Sequence, residues 1–504
     1  MAGAVAVAGA GAAALGSATA STAVAAEAFV HPGMLHTQVD LDRMAAKVKA
    51  GADRWKQGYA KLAANSHSQS GWKANPQATV YRGGGTPENY GTLYNDIHAA
   101  YQNALRWHVT GDTANANTAR DILNAWSAKM TKLEGTADKF IAAGVYGYEF
   151  ANAAELMRGY TGFDLARFQK MMLNVFYPMN HDFLVNHNGA FVTNYWGSWD
   201  LLTVASVLAI GILCDDKAKV DEAVTYFKSG AGNGSIKNAI NVIHPGGLGQ
   251  VVEVGRDQGH ALLSVGLMAS ICEMAWNQGI DLYGYDDNRF LKGAEYTAKW
   301  NLGQDVPYTA YTWKKGAPGV WSGQETLTAA SENSRGQARP IWESIYNHYV
   351  NRRGLDAPFV TAIAAKVRPE GGGGDYGSGG GFDHLGFGTL AFTRDAGDTT
   401  RATKAPSATT ATGATSSAAP SGASAASSGA AESSASAAGS ASAAGSASAS
   451  ASSSAAGGGV QAQGGSGDLA TTGAGDIAAI AGTGVLAVVG GIIALRRRQA
   501  GSRQ

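Results

Sequence analysis

Apolar residues recur at helical spacing along most of the chain from Asp40 onward. The segments with this pattern are 40–63, 90–112, 113–130, 139–160, 163–179, 199–216, 216–230, 253–276, 288–303, 339–354 and 356–367. Alternation with a period of two, which would indicate strands, is scarce. The connections are short and contain the Gly, Asp and Asn residues that end helices. The pattern therefore predicts an all-α fold of many helices joined by tight turns.

Helices of similar length joined by tight turns favour antiparallel pairs. Such pairs arranged in a ring form an incomplete α/α toroid with a central cleft, and a stacked solenoid is the alternative. The sequence has no fixed period, which weakens the solenoid. The glycine-rich segment 368–392 is predicted to be a loop that closes the domain over the cleft or against its rim. We expect one folded domain over residues 30–394.

Composition excludes several classes of partner. Net charge is zero, which argues against nucleic acid or a membrane surface as the main partner of the folded part. The two cysteines, Cys214 and Cys272, lie inside apolar helical patterns and are predicted to be buried thiols rather than a disulfide. No Cys/His spacing resembles a structural zinc site. We therefore expect no cofactor and no dedicated metal site, and a cation remains possible but not required.

The N-terminal segment predicts export. Residues 1–25 form an apolar run of small residues that ends in Ala-Val-Ala, as a signal peptide does before its cleavage site, here after about Ala25. A basic region near Met1 is missing. A disordered Ala/Gly leader is the alternative interpretation.

The C-terminal segment predicts a spacer followed by an anchor. Residues 395–468 are dominated by Ala, Ser, Gly and Thr, which offer too little apolar bulk to offset the entropy of ordering. The sequence LATTG follows at 469–473, then an apolar stretch at 477–495 and a basic tail at 496–504. The stretch is nearly long enough, at about 1.5 Å per residue, to cross a bilayer as a transmembrane helix.

This order resembles a Gram-positive sortase signal. The resemblance implies cleavage between Thr472 and Gly473 and covalent attachment to peptidoglycan, with sortase as a transient partner and the membrane holding the chain before processing. A plain C-terminal membrane anchor is the alternative. Under both interpretations the folded part faces outward, because the arginines at 496–498 mark the cytoplasmic side. The motif and the high Ala/Gly/Ser content suggest an actinomycete host.

One stretch concentrates polar groups at the head of an apolar helix. Glu253, Arg256, Asp257, Gln258 and His260 occur within two turns, and on a helix Glu253, Arg256/Asp257 and His260 share one face. Burying an unpaired polar group costs about 1–3 kcal/mol, so accumulation by chance is disfavoured. We predict that this head points into a cleft; ion pairs at a helix N-terminus are the alternative.

A second cluster precedes an earlier helix. His187, Tyr195, Trp196 and Trp199 are candidates for sugar binding, since aromatic rings and polar tips stack on and hydrogen-bond to sugars; core packing is an equal alternative for the tryptophans. Asn194 is a poor choice beside an apolar helix, which favours a functional role.

Two further clusters have stronger structural alternatives. Tyr285 and Arg289 lie beside Asp286 and Asp287, and these aspartates could simply cap the helix that begins near Asn288. In the segment 332–354, Arg339, Glu343, Asn347 and His348 could simply join neighbouring helices.

These clusters carry a resemblance to the alginate lyase family of polysaccharide lyases. It runs through His31–Thr37, 100–112, 193–201, 255–263, 275–303 and 379–390, so it covers essentially the whole predicted domain. The resemblance implies an α/α toroid, an acidic polysaccharide substrate, and cleavage of uronate-containing polymers such as alginate or glucuronan by β-elimination.

The resemblance also implies roles for particular residues. The family uses an Asn with a His or Arg to neutralise the uronate carboxylate, and a Tyr or His to transfer protons. Asn194 matches the asparagine, and Arg256 could bind the carboxylate. His260 is the first choice as base, with Tyr285 or Tyr195 as acid; a single tyrosine in both roles is the second choice.

The sequence departs from the best-known family members at two of these positions. Those carry Asn-His before the Trp-containing helix, whereas Tyr195 follows Asn194 here. They also carry a tyrosine in the later helix, where this chain has His260. The assignment of base and acid therefore stays open, and Asp257, Gln258 and Arg289 are predicted to bind substrate.

Two other functions remain open from sequence alone. A glycoside hydrolase would need two carboxyl groups flanking the scissile bond, for which Asp257, Glu343 and Asp383 are candidates. A surface protein that binds carbohydrate without cleaving it is the other alternative.

Overall fold

The computed structural model describes residues 3, 28–83, 88–374 and 382–400. Apart from residue 3, the predicted signal peptide at 1–25 lies outside the described residues. The same holds for the predicted linker after residue 400, the LATTG sequence at 469–473, the apolar stretch at 477–495 and the basic tail at 496–504.

Helices dominate the described chain, as predicted. They are α1 Gln38–Lys49, α2 Asp53–Ala64, α3 Tyr90–Thr110, α4 Thr113–Lys129, α5 Asp138–Leu156, α6 Leu165–Met171, α7 Tyr177–Asn186, α8 Gly197–Leu213, α9 Lys217–Ser229, α10 Ile236–Ala239, α11 Gln258–Asn277, α12 Tyr285–Asn301, α13 Trp342–Tyr346, α14 Pro358–Val367 and α15 Gly388–Ala391. Helical turns of π type join α6 to α7 (Met172–Phe176) and extend α13 (Asn347–Arg352).

Strands are few and short. Among the described residues they form three two-stranded ladders: β1 Thr79–Arg82 parallel to β2 Lys132–Gly135, β3 Ile240–Ile243 antiparallel to β4 Gly249–Val251, and β5 Tyr311–Trp313 antiparallel to β6 Glu325–Leu327.

The helices contact one another in a closed order. Helix α1 contacts α3, and the series continues through α5, α8, α11, α13 and α15, which contacts α1 again. A second helix packs outside several of these: α2 on α1, α4 on α3, α9 on α8, α12 on α11 and α14 on α13. Consecutive helices thus pair and the pairs form a ring, which is the arrangement that an α/α toroid requires.

The described end of the glycine-rich segment closes this ring through a short helix, so the segment is not entirely loop as predicted. Its residues 382–392 include the short helix α15, which packs on α2. Gly58 makes this contact possible, because a Cβ atom there would lie 2.5 Å from the backbone nitrogen of Leu390.

Two helix boundaries differ from the sequence prediction. The predicted helix 40–63 is two helices, because Gly51 adopts a left-handed φ of 70° between them. The predicted helix 253–276 begins only at Gln258, because Asp257 is extended and serves as its N-cap. Glu253 therefore precedes the helix, on a 3₁₀ turn at Val252–Gly255, and the shared helical face predicted for it and His260 is wrong.

Helix α11 belongs to the buried core. It is apolar and long enough to cross a membrane, yet most of it is buried against neighbouring helices, which identifies it as a core helix. Cys272 on α11 is a buried free thiol, as predicted. Cys214 is also free but only half-buried, because it lies at the C-terminal end of α8.

Candidate active site

A buried histidine and aspartate stand at the N-terminal end of α11. Nδ1 of His260 lies 2.6 Å from Oδ2 of Asp257, and the other carboxylate oxygen accepts a hydrogen bond of 2.8 Å from the backbone N–H of His260. Because an ionised carboxylate only accepts, Nδ1 carries the proton and Nε2 presents a lone pair. Nε2 is buried and has no hydrogen-bond partner among the described residues.

The electrostatics favour an ionised Asp257. Burial alone would raise the pKa of its carboxyl group, but the hydrogen bonds and charge of His260, together with the positive charge of Arg256, lower that pKa to about 2. The aspartate is thus a fixed negative charge that holds the imidazole in one tautomer and stabilises the imidazolium when Nε2 takes a proton.

The two main predicted clusters meet at this point. Oε1 of Glu253 accepts a hydrogen bond of 2.7 Å from the backbone N–H of Ser198, at the head of α8. The guanidinium of Arg256 lies 5.1 Å from the ring centroid of Trp196, and its Nε lies 3.5 Å from Oδ2 of Asp257. The residues before α8 and those before α11 therefore form one site.

Burial raises the pKa of Glu253, against the opposing charges of Arg256 and His260. Burial also lowers the pKa of Arg256, although Glu253 and Asp257 counteract the effect. The neighbouring opposite charges thus offset part of the free-energy cost of burying Glu253 and Arg256 in their charged forms.

Asn194 is buried with both ends of its amide unused. Its exposed fraction is 0%, and neither Oδ1 nor Nδ2 has a hydrogen-bond partner among the described residues. Gly319 lies directly against it, since a Cβ atom at Gly319 would lie 2.0 Å from Oδ1 of Asn194. An unpaired buried amide is costly, so an amide that the fold leaves unused indicates a role in binding a ligand.

The aromatic residues of this cluster are packed into the core. Tyr195, Trp196 and Trp199 are all buried. The ring of Trp196 stacks on Trp313 at 4.4 Å, and Trp321 packs edge-on against Tyr195 at 5.0 Å. The predicted stacking platforms are therefore covered by protein side chains.

Two of the predicted substrate-binding residues hold elements together. His187 is buried against Asp200, whose Oδ1 lies 3.0 Å from Nε2 of the histidine. The side chain of Gln258 donates to the backbone carbonyls of Val254 and Ser331 and accepts from Asn301, so its polar atoms are used within the fold.

The structure does not bring Tyr285 and Arg289 to the site. Asn301, at the last turn of α12, donates to Gln258 at the first turn of α11, so the two helices run antiparallel. Arg289 lies 12 residues earlier on α12, about 18 Å along its axis. Tyr285 precedes it and packs beside Lys228, whose Nζ lies 5.3 Å from the ring centroid.

Sequence reasoning missed three residues around this site. The hydroxyl of Tyr308 is buried, has no hydrogen-bond partner in the part of the chain that the structure describes, and lies against Gly255, where a Cβ atom would come within 2.1 Å of it. The hydroxyl of Ser264, one turn after His260, is also buried without a partner in that part of the chain. Lys314 is buried beside Trp313. Tyr308 and Lys314 lie in a segment without helical or strand periodicity, so the sequence carried no signal for them.

The site holds no arrangement suited to a metal. Within the described ranges, no group of three or more His, Cys, Asp or Glu side chains is placed to hold a metal ion. What the geometry offers is an oriented base, an amide with free donor and acceptor, and a buried guanidinium. Together these can remove a proton from a carbon next to a carboxylate.

The chain matches the family model described as alginate lyase over residues 43–306, just over half of its length. Among solved structures it is similar to the alginate lyase A1-III from Sphingomonas species A1, with 14% identity and a TM-score of 0.48, covering 73% of this chain and 98% of that chain. An alginate lyase from Bacteroides ovatus shows 13% identity and a TM-score of 0.44, covering 68% and 96%. No curated protein matches.

Proposed function

Because the chain belongs to the alginate lyase family and is a polysaccharide lyase, we propose that it cleaves a uronate-containing polysaccharide, with alginate the first candidate, by β-elimination. The observation that carries the proposal is the buried His260, whose Nδ1 is held by Asp257 while Nε2 faces no partner among the described residues. A lone pair fixed in this way is what a general base needs.

Each step of the elimination can be assigned to one of these groups. The amide of Asn194 and the guanidinium of Arg256 bind the uronate carboxylate and stabilise the negative charge that develops on it. Nε2 of His260 takes the proton from C5, and the C–H electron pair forms the C4–C5 double bond. The C4–O4 bond breaks, and the departing oxygen receives a proton from an acid.

Two tyrosine hydroxyls can supply that proton. Tyr195 follows Asn194; burial raises its pKa, although a hydrogen bond from Asn188 opposes the effect. Tyr308 is the second candidate, since its hydroxyl lies against Gly255 and burial raises its pKa to about 12. Both hydroxyls are protonated at neutral pH. Substitution of each by Phe, with kcat measured, identifies the acid.

A hydrolase is the less favoured alternative. Each carboxylate that sequence offered for it is engaged with a positively charged or protonated partner: Asp257 with His260, Glu343 with Arg368 and Asp383 with Arg339. The deciding experiment incubates the full chain with polymannuronate, polyguluronate, glucuronan, hyaluronan and pectate. Ultraviolet absorbance of an unsaturated product supports the lyase, and new reducing ends without that absorbance indicate a hydrolase.

We also propose that the protein is exported and linked to the cell wall. The support is the sequence alone: the apolar segment 1–25, LATTG at 469–473, and the apolar and basic segments that follow. Expression in a sortase-positive Gram-positive host, with and without Thr472→Ala, tests this. Release of the intact variant, but not of the parent, by detergent without a peptidoglycan hydrolase is the expected result.

A further inference from the structure

Residues 307–327, here called the hairpin segment, form part of the wall of the site. The segment contains β5 and β6 and lies just beyond the range 43–306 that matches the family. Its backbone is tied to the residues before α8: the N–H of Phe191 donates to the carbonyl of Pro318, and the hydroxyl of Thr193 donates to the carbonyl of Lys315. The segment therefore brings its own side chains to Asn194.

Lys314 is the charged side chain that the hairpin segment buries there. It is only 3% exposed, and its Nζ lies 4.2 Å from the ring centroid of Trp313 and 5.6 Å from that of Trp321. Within the described part of the chain, no carboxylate lies within ion-pair distance of its ammonium and no acceptor hydrogen-bonds to it. Its backbone has a left-handed φ of 60°, which a non-glycine residue adopts at a cost.

The environment of Lys314 is unfavourable to a charge without a counter-ion. Burial lowers the pKa of its ammonium, and the negative charge of Glu325 counteracts this only in part. Two indole faces stabilise a cation less than a counter-ion does. The ammonium therefore has the capacity to pair with an anion.

Lys314 and Arg256 belong to the same wall. Trp313, which contacts the ammonium of Lys314, stacks on Trp196 at 4.4 Å with an interplanar angle of 15°, and the guanidinium of Arg256 lies over Trp196. Two cations thus flank one pair of stacked indoles. A polymer with one carboxylate on each sugar unit could therefore place one carboxylate at Arg256 and the next at Lys314.

We propose that Lys314 binds the carboxylate of a uronate unit next to the one held by Asn194 and Arg256, so that the hairpin segment forms a subsite selective for acidic sugars. This inference rests on the proposed function, because it takes a polyuronate as substrate. The competing explanation is structural: the ammonium could serve only to pin Trp313 against Trp321.

Binding of paired probes separates the two explanations. In the full chain with His260→Ala, which prevents turnover, oligomannuronate, oligoguluronate and oligoglucuronate are titrated beside their carboxyl-reduced, neutral counterparts. Lys314→Met is expected to weaken binding of an acidic oligomer about tenfold, the loss of about 1.4 kcal/mol, and to leave neutral oligomers unaffected. Lys314→Arg retains most of the affinity, and Lys315→Met, at the exposed neighbouring position, changes nothing.

Other outcomes overturn the inference. The inference is wrong if Lys314→Met binds acidic oligomers with unchanged affinity. It is also wrong if the variant loses affinity equally for acidic and neutral oligomers and has a lowered Tm, because Lys314 then only holds Trp313 in place. It is wrong as well if none of the acidic oligomers binds the His260→Ala protein with Lys314 intact. If acidic oligomers bind in a way that depends on Lys314 but the wild type forms no unsaturated product, the proposed lyase reaction is wrong and the subsite stands. If the wild type forms unsaturated product but binding does not depend on Lys314, the subsite is wrong and the lyase reaction stands.

Discussion

The carboxylate of Asp257 both caps the helix that carries His260 and binds the ring of that histidine, with 2.6 Å between Oδ2 and Nδ1. One side chain thus fixes the start of α11 and the orientation of the imidazole. The proton on Nδ1 is held at the aspartate, and the lone pair on Nε2 is aimed away from it. The fold and the proposed base therefore depend on the same contact.

Asp257→Asn separates these two tasks. The asparagine oxygen can still cap α11, so we expect Tm to change little. It no longer provides the negative charge that holds the Nδ1 proton and stabilises the imidazolium, so kcat is expected to fall by about 10²–10⁴. Steady-state kinetics and thermal unfolding on the same sample check this. A kcat near that of the wild type would show that the carboxylate of Asp257 has no part in the chemistry.

Asn194→Ala is expected to damage activity without damaging the fold. Its amide has no partner among the described residues, so its removal relieves the cost of a buried unpaired group. Loss of a donor to the developing charge lowers kcat by about 10²–10³. The Tm of the variant should equal or exceed that of the wild type. A large drop in Tm would mean that the amide supports the fold.

Gly319→Ala tests the contact that covers Asn194. The added Cβ would lie 2.0 Å from Oδ1 of Asn194, so either the amide or the hairpin segment must move. We expect kcat/KM to fall at least about tenfold, because misplacing a reacting group by about an ångström costs that much or more. Gly71→Ala, where an added Cβ meets nothing within 4 Å, serves as the control. Equal activity of both variants would show that this contact is irrelevant to catalysis.

The sequence predicted the helices well and the site only in part. Apolar periodicity located α3, α8 and α11, because each buries a continuous apolar surface. It could not show that Asp257 is extended, since that depends on the cap rather than on the periodicity. Glu253 and Ser198 are 55 positions apart in the chain but hydrogen-bonded in the structure, and a single sequence does not reveal such a contact.

The misplaced tyrosine has a similar cause. Tyr285 comes soon after the C-terminal end of α11, whereas the site lies at the N-terminal end of that helix. Because α12 runs antiparallel to α11, it brings Asn301 and not Tyr285 back towards the site. The residues that do cover the site, such as Lys314 and Gly319, lie in the hairpin segment, whose irregular backbone has no periodic pattern. Its position is fixed by contacts with Phe191, Thr193 and Trp196.

His31 should make stability depend on pH. Burial alone would lower the pKa of His31, but the hydrogen bonds that its ring donates to Glu155 and Asp215, together with the negative charge of Glu155, raise this pKa above 6.5. Because folding raises the pKa of His31, its protonation stabilises the folded state. This contribution is fully present below the unfolded-state pKa of about 6.5, and it is lost as pH rises through the higher folded-state pKa. His31→Gln is thus expected to cost about 1–2 kcal/mol at pH 5.5 and less at pH 9.

Denaturant unfolding at several pH values checks this contribution. The more exposed His181, which pairs with Glu222, supplies the control, and His181→Gln should cost less than about 1 kcal/mol at any pH. A cost of His31→Gln that is the same at pH 5.5 and pH 9 would show that the charged form of the histidine is not what stabilises the fold.

Arg352→Met should destabilise the ring strongly. Both terminal nitrogens of Arg352 bind Glu273 on α11, at 3.1 and 2.9 Å, and both residues are buried. Removing the cation leaves the carboxylate unpaired, at a cost of about 3–5 kcal/mol. Arg120→Met, which breaks an exposed pair with Asp121, should cost less than about 1 kcal/mol. Similar unfolding free energies for both variants would contradict this role.

The most direct measurement is the rate at which a uronate polymer gains ultraviolet absorbance with the wild type and with His260→Ala, at equal and verified folding. We expect a steady rise with the wild type on at least one polyuronate, and a rate at least about a hundredfold lower with the variant. Unsaturated product from His260→Ala at the wild-type rate would show that Nε2 of His260 is not the base.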